Sequence, residues 1–207
     1  MRRSVMEKHN TKDLIEQTAL DLFAKYGYEA VSIRDIGKRV GIKESSIYYH
    51  FTNKKAILDS VYDKIDKLIE GMQISFDSAF SKTEEVPEEA MCGVAAAFLR
   101  NYFLNPYVHK VILLLSIERN SNEEAERIYQ RLLFEMPLLQ QEKVFLQMME
   151  KGFIKKNDPA VLAQEYYSII YFSFQKNCVG ENQTEERILL AEKEIRNNIA
   201  DLYRKMR

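Results

Sequence analysis

Between Val31 and Leu58 the chain changes direction twice within a few residues, and few folds accommodate that. The run is VSIRDIGKRVGIKESSIYYHFTNKKAIL. Ser32 can cap a helix, with Asp35 three residues on as a weaker capping-box partner. Ile33, Ile36 and Val40 then fall at helical spacing and give one buried stripe. Gly41 follows, and glycine tolerates the positive φ of a tight corner between two helices. Glu44 to His50 make a second short helix in which only Ile47, flanked by Ile42 and Phe51, has the character of a buried residue. Asn53 can cap a third helix that begins at Lys54.

The second short helix carries more chemistry than its own stability requires. Glu44, Ser45, Ser46, Tyr48, Tyr49 and His50 all lie outside its apolar stripe. Two helices joined by a glycine corner are the geometry that places a recognition helix in the DNA major groove and lays the preceding helix over the backbone. Seryl and tyrosyl hydroxyls and an imidazole donate to phosphate oxygens, and a tyrosine face packs against thymine methyl groups. Lys54 and Lys55 stand in the first turn of the third helix, where the helix dipole disfavours cations. A nearby anion such as DNA phosphate would account for them.

The residues from Thr11 to Leu58 resemble the N-terminal DNA-binding domain of the TetR family of transcriptional regulators. The resemblance is carried by Leu22-Phe23, Tyr26-Gly27-Tyr28, Val31-Ser32-Ile33-Arg34-Asp35-Ile36, Val40-Gly41-Ile42, Ile47-Tyr48-Tyr49-His50-Phe51 and Asn53-Lys54-Lys55-Ala56-Ile57-Leu58. It covers roughly a quarter of the chain. Four positions depart from the usual pattern. Gly37 replaces a common alanine, at a helix cost of roughly 1 kcal/mol. Lys43 stands where a capping residue is usual, Ser45 where a smaller residue or proline is common, and Lys55 where an acid is common. The resemblance implies DNA contacts from Ser32, Arg34, Glu44, Ser45, Ser46, Tyr48, Tyr49, His50 and Lys54. Glu44 can either accept from a cytosine amine or only complement the helix dipole, and Tyr48 is the leading base-contact candidate.

Charge supports a division of labour. The total is −1, but residues 1–55 hold 11 Lys and Arg against 7 Asp and Glu. That is a net of +4, which leaves −5 for the rest, as expected when one part alone meets DNA. Residues 1–10 are polar and read first as a frayed tail; the alternative is that Arg2, Arg3 and Lys8 touch phosphate.

The rest of the chain reads as helix throughout. A helix from Thr11 to Tyr26 ends at Gly27. The helix from Lys54 keeps its spacing to about Phe80, roughly 40 Å at 1.5 Å per residue. Asn105-Pro106 and Asp158-Pro159 are cap-plus-proline starts. Ser121 with Glu124 has the form of a capping box for the segment 122–151, inside which Pro137 must kink or split the helix. Thr184 caps the last helix. The expected fold is therefore all-α, with about nine helices. Residues 1–53 form a three-helix head, and a long fourth helix joins it to a body spanning 54–207.

The resemblance assigns that body to effector binding and dimerisation. Candidate pocket residues are Phe98, Tyr102, Phe103, Tyr107, His109, Arg119, Phe145, Met148, Met149 and Tyr166. Their spacing is also what a plain core gives. Apolar walls with a few polar groups suit an apolar or aromatic ligand. Candidate homodimer residues are Tyr167, Ile170, Tyr171, Phe174, Ile195, Ile199 and Leu202, rows that must bury partly within one subunit. The implied function is a ligand-responsive repressor that binds a palindromic operator as a homodimer. The alternative is a helical ligand-binding or scaffolding protein without specific DNA binding.

Nothing points to catalysis, a metal or a cofactor. His9, His50 and His109 are far apart, and there is no glycine-rich phosphate loop or paired-cysteine motif. No run of 18 apolar residues is present, so no membrane span is expected. Cys92 and Cys178, in a chain without a secretory signal, fit a reducing cytoplasm.

Overall fold

The computed structural model describes the backbone of residues 2–180 and 183–207, and the side chains from Thr11 onward within those spans. The side chains of Arg2, Arg3 and Lys8 lie outside the described ones. Ten α-helices follow one another: α1 (Arg2–Tyr26), α2 (Ile33–Val40), α3 (Glu44–Tyr48), α4 (Lys54–Ser81), α5 (Glu88–Phe98), α6 (Pro106–Glu118), α7 (Glu123–Gln130), α8 (Met136–Glu150), α9 (Pro159–Asn177) and α10 (Glu185–Met206). Two π-helical turns interrupt the series, Leu99–Phe103 after α5 and Arg131–Glu135 between α7 and α8. No strand occurs among the described residues.

The helix starts follow from their caps. Asn53 Oδ1 accepts from Ala56 N at 2.8 Å at the head of α4. Asn105 Oδ1 accepts from the amides of Tyr107 and Val108, and Asp158 Oδ1 from those of Ala160 and Val161. Each cap satisfies donors that the first turn leaves unpaired, a contribution of about 1 kcal/mol. At α7 the cap is Asn122, whose Oδ1 accepts from Ala125 N at 3.1 Å. Ser121, the residue expected in that role, instead bonds back to the carbonyl of Glu118.

Pro137 neither ends its helix nor simply kinks it. The Met136 amide donates to the carbonyl of Arg131, five residues back, and this opens the π turn. In a regular α-helix that amide would serve Leu132. Pro137 has no N–H, so it serves neither Leu133, four residues back, nor Leu132, five back. Two tyrosine hydroxyls fill the gap. Tyr102 donates to the Leu132 carbonyl at 2.6 Å, and Tyr167 donates to the Leu133 carbonyl.

The chain divides into two compact units. The first runs through Met72 and includes Lys110–Tyr129; the second comprises Gln73–His109 and Gln130–Arg207. The division therefore does not fall at residue 53, since α6 from Lys110, and α7, belong with the head. In the first unit, Ile15, Leu20 and Phe23 of α1, Ile36, Ile47, and Ile57, Val61 and Ile65 of α4 are all fully buried. In the second, α10 packs against α5 and α9, and α8 against α9. Arg196 pairs with Glu89, Arg204 with Glu88, and Arg100 with Glu192, an order that requires α5 and α10 to run antiparallel. No helix among the described residues is long and apolar enough to cross a membrane.

Candidate nucleic-acid interface

The two short helices are fixed by local chemistry. Ser32 Oγ accepts from the Asp35 amide at 3.2 Å, and Asp35 Oδ2 accepts from the Ser32 amide at 2.9 Å, so both halves of the capping box are made. The bonds from Ser32 hold the Asp35 carboxyl below its ordinary pKa. Gly41 ends α2 at φ +83°, and the amides of Gly41 and Ile42 both return to the carbonyl of Gly37 at 2.9 Å. Gly37 itself sits under the turn: a Cβ there would stand 3.0 Å from the Ile42 carbonyl oxygen. A glycine at this position lets the corner between α2 and α3 close tightly.

Helix α3 is five residues long, and only Ile47 is buried in it. Tyr48 is 52% exposed and Tyr49 64%. Glu44, Ser45 and Ser46 are exposed with them, as is Arg34 on α2, while His50 is half-buried with its ring edge-on to Tyr49 at 5.2 Å. The expected recognition face is therefore presented outward. Lys38 and Lys43 are exposed on the same two helices, Lys43 at the head of α3 with no side-chain capping bond. They extend the cationic character of this face. The signal for Lys43 lay in the sequence: an N-cap position occupied by a residue unable to cap has its charge free for another use.

Two of the expected DNA contacts, Ser32 and Lys54, have hydrogen-bond partners inside the protein. The Ser32 hydroxyl donates to Asp35 Oδ2 at 2.5 Å, and a seryl hydroxyl has one proton to give, so it has none for a phosphate. Lys54 Nζ donates to the backbone carbonyls of Tyr28 at 2.8 Å and Val31 at 3.0 Å. Lys55 Nζ lies 2.5 Å from Asp59 and 3.1 Å from Glu124. The two cations in the first turn of α4 thus have partners inside the protein, and DNA phosphate is not needed to explain them.

Of the expected pocket residues, Phe98, Tyr102 and Phe103 come together with Tyr167, Tyr171 and Phe174 in one aromatic cluster. Phe98 stacks on Tyr102 at 4.8 Å and Phe103 on Phe174 at 4.3 Å. His109 is buried at its edge, its Nδ1 3.2 Å from the Phe103 carbonyl and its Nε2 2.7 Å from Gln183 Nε2. Burial holds the His109 imidazole below its usual pKa and raises the phenols of Tyr102 and Tyr166. Phe145 meets Tyr166 edge-on at 5.6 Å as a second pair. Met148 is buried, Tyr107 is half-buried, and Met149 accepts the Asn157 amide on its sulfur. Arg119 belongs to the first unit, its guanidinium 4.1 Å from the Tyr129 ring centroid and 3.2 Å from Glu126.

The rows expected at a dimer surface face inward. Tyr167, Ile170, Phe174, Ile195, Ile199 and Leu202 are at most 6% exposed, and Tyr171 is half-buried. Helical spacing identified a buried face correctly, but that face is covered by helices of the same subunit. The exposed large apolar side chains of α9 and α10 are Val161, Phe172, Leu189 and Leu190.

Comparison with known proteins agrees with this geometry. Residues 15–61 match the family described as bacterial regulatory proteins, tetR family. A 48-residue stretch is 46% identical to the biofilm operon icaADBC HTH-type negative transcriptional regulator IcaR of Staphylococcus aureus (strain Newman). That stretch is 23% of this chain and 26% of the regulator, so the match spans about a quarter of each. Among solved structures, a putative TetR-family transcriptional regulator from Mesorhizobium loti superposes with a TM-score of 0.73 at 17% identity, over 94% of this chain and 96% of that one. A putative transcriptional regulator from Saccharomonospora viridis in complex with choline gives 0.67 at 20% identity, over 91% and 95%. At these identities the structures show a shared fold.

Proposed function

We propose, from the match of residues 15–61 to the tetR family of bacterial regulatory proteins, that the chain is a transcriptional repressor that binds a palindromic operator as a homodimer and releases it on binding a small molecule. The observation that carries this reading is the composition of α3. Its single buried residue is Ile47, and every other side chain on it is exposed and able to hydrogen-bond or stack. Arg34, Lys38, Lys43, Ser46, Tyr49 and His50 would hold phosphates. Glu44, Ser45 and Tyr48 would face base edges. Repression is the behaviour stated for IcaR, with which this head shares its 46% identity.

The dimer would form on the exposed apolar side chains of α9 and α10, Val161, Phe172, Leu189 and Leu190. A two-fold dimer reads half-sites about 34–36 Å apart or a multiple of that. The effector would meet the aromatic cluster around Phe98, Tyr102 and Phe103. Ring faces of this kind take apolar and aromatic bodies, and also quaternary ammonium groups such as the choline bound by the Saccharomonospora viridis protein. Ligand and operator would favour different conformations, with a coupling of about 1–3 kcal/mol, or roughly 5–150-fold in operator affinity.

Selection from a random duplex library tests the reading. The full chain is expected to recover an inverted repeat. Recovery of no common sequence would leave the body as the functional part, a ligand-binding or scaffolding protein without specific DNA binding.

A further inference from the structure

The start of α4 raises an electrostatic question that the DNA-binding reading alone does not answer. Unpaired N–H groups make the first turn of a helix locally positive, so a cation there needs a reason. For Lys55 the reason is two carboxylates, Asp59 and Glu124. For Lys54 it is backbone: the carbonyls of Tyr28 and Val31 each take one of its three protons. Its Nζ also lies 4.1 Å from the centroid of the Tyr28 ring, a cation over an aromatic face.

Tyr28 is gripped from the opposite side as well. Its amide donates to Glu118 Oε1, at the end of α6, at 2.8 Å. The preceding residue, Gly27, sits at φ +83°, and a Cβ there would stand 3.2 Å from that same Oε1 and 3.3 Å from Ile117 Cγ2. A glycine is what permits Glu118 to come so close. Tyr28 therefore has its N–H held by an anion on α6 and its carbonyl and ring held by a cation on α4. Val31, the second carbonyl taken by Lys54, directly precedes Ser32, the cap of α2.

We propose that Lys54 and Glu118 form a clamp on Tyr28 that positions α2 and α3 for DNA, and that Lys54 is a positioning residue and not a phosphate ligand. The proposal rests on the DNA-binding reading above. The clamp fixes the segment 28–31 against the beginning of α4. The entry point of α2, and with it the α2–α3 corner, is then set by two charged side chains that need not touch DNA themselves. A phosphate ligand and a positioning residue make different demands on salt: only the first releases counterions when it binds.

The test measures affinity of the full chain against salt concentration, on a duplex of random sequence and on a duplex recovered by selection. Lys54→Met keeps the side-chain stem and removes its donors. It is expected to leave the salt slope on random duplex unchanged while weakening the selected duplex by about tenfold or more, the order of one lost charge-assisted bond. Lys43→Ala serves as the contrast and is expected to lower the slope by about 0.9 per subunit. Glu118→Ala is expected to behave as Lys54→Met does, and Glu118→Gln, which keeps an acceptor for the Tyr28 amide, is expected to restore most of the preference. A slope lowered by about 0.9 per subunit in Lys54→Met would make Lys54 a phosphate ligand and overturn the clamp. If Lys54→Met does not fold, Glu118→Ala decides: undiminished preference for the selected duplex overturns the clamp. Absence of wild-type binding to either duplex rejects the DNA-binding reading itself, an outcome distinct from both.

Discussion

Tyr102 donates its hydroxyl to the carbonyl of Leu132 at 2.6 Å, and in doing so joins the two π-helical turns found among the described residues, since Tyr102 lies in one and Leu132 in the other. With Tyr167 it serves two carbonyls left open by the shift of the Met136 amide to Arg131 and by the one N–H that Pro137 lacks. A buried carbonyl left without a donor costs about 1–3 kcal/mol. Tyr102→Phe and Tyr167→Phe are each expected to lower unfolding free energy by that amount, read from urea denaturation. Pro137→Ala restores an N–H at the same place, so the pair Pro137→Ala with Tyr167→Phe should cost less than the sum of the single changes. Strict additivity would mean that the tyrosines do not compensate for the proline.

His109 makes stability depend on pH. Burial lowers its pKa from the ordinary 6.5, so the folded state holds fewer protons than the unfolded one as pH falls. The contribution is fully present above about 6.5 and is lost as pH drops through the window between that value and the lowered one. Thermal melts from pH 7.5 to 5 are expected to show a declining midpoint, and His109→Gln is expected to flatten the decline. An identical decline in the variant would place its origin in other groups.

Gly37→Ala sets two effects against each other. Alanine favours the helix by about 1 kcal/mol. The added Cβ would press on the Ile42 carbonyl at 3.0 Å, in a turn already tied by two amides to the Gly37 oxygen. The turn has little freedom to yield, so the expectation is a loss of operator affinity larger than any change in melting temperature. Unaltered affinity with raised stability would show that the corner can open without consequence for DNA.

Phe172 and Ile195 separate a surface between subunits from a core within one. Phe172 is 66% exposed on α9, and Ile195 is fully buried. Phe172→Glu is expected to give a folded monomer in sedimentation velocity. Ile195→Glu is expected to abolish folding, because it places an unpaired charge in the core. A Phe172→Glu protein that remains dimeric would move the interface off this part of α9.

What the sequence revealed and what it concealed divide by distance along the chain. The caps Ser32, Asn53, Asn105 and Asp158 were legible because a cap and the amides it serves lie within three positions. The outward face of α3 was legible because one apolar residue in five leaves little choice. The partners of Lys54 were not legible, since the bonds reach back 26 and 23 residues to backbone atoms, which carry no side-chain signature. The π turn at Pro137 depends on hydroxyls 30 and 34 residues from the carbonyls they serve, so local rules gave only a kink or a break. Ile195 and Ile199 fit a subunit seam by spacing alone, because periodicity reports that a face is buried and not what covers it.

The most direct test of the central claim is anisotropy with the full chain and labelled duplex from immediately upstream of its own gene, at two salt concentrations. Tight binding that survives an excess of random duplex is expected, with a larger loss on that DNA than on random DNA when Tyr48 is changed to alanine. Weak binding that is equal on all sequences and erased by salt would contradict the claim.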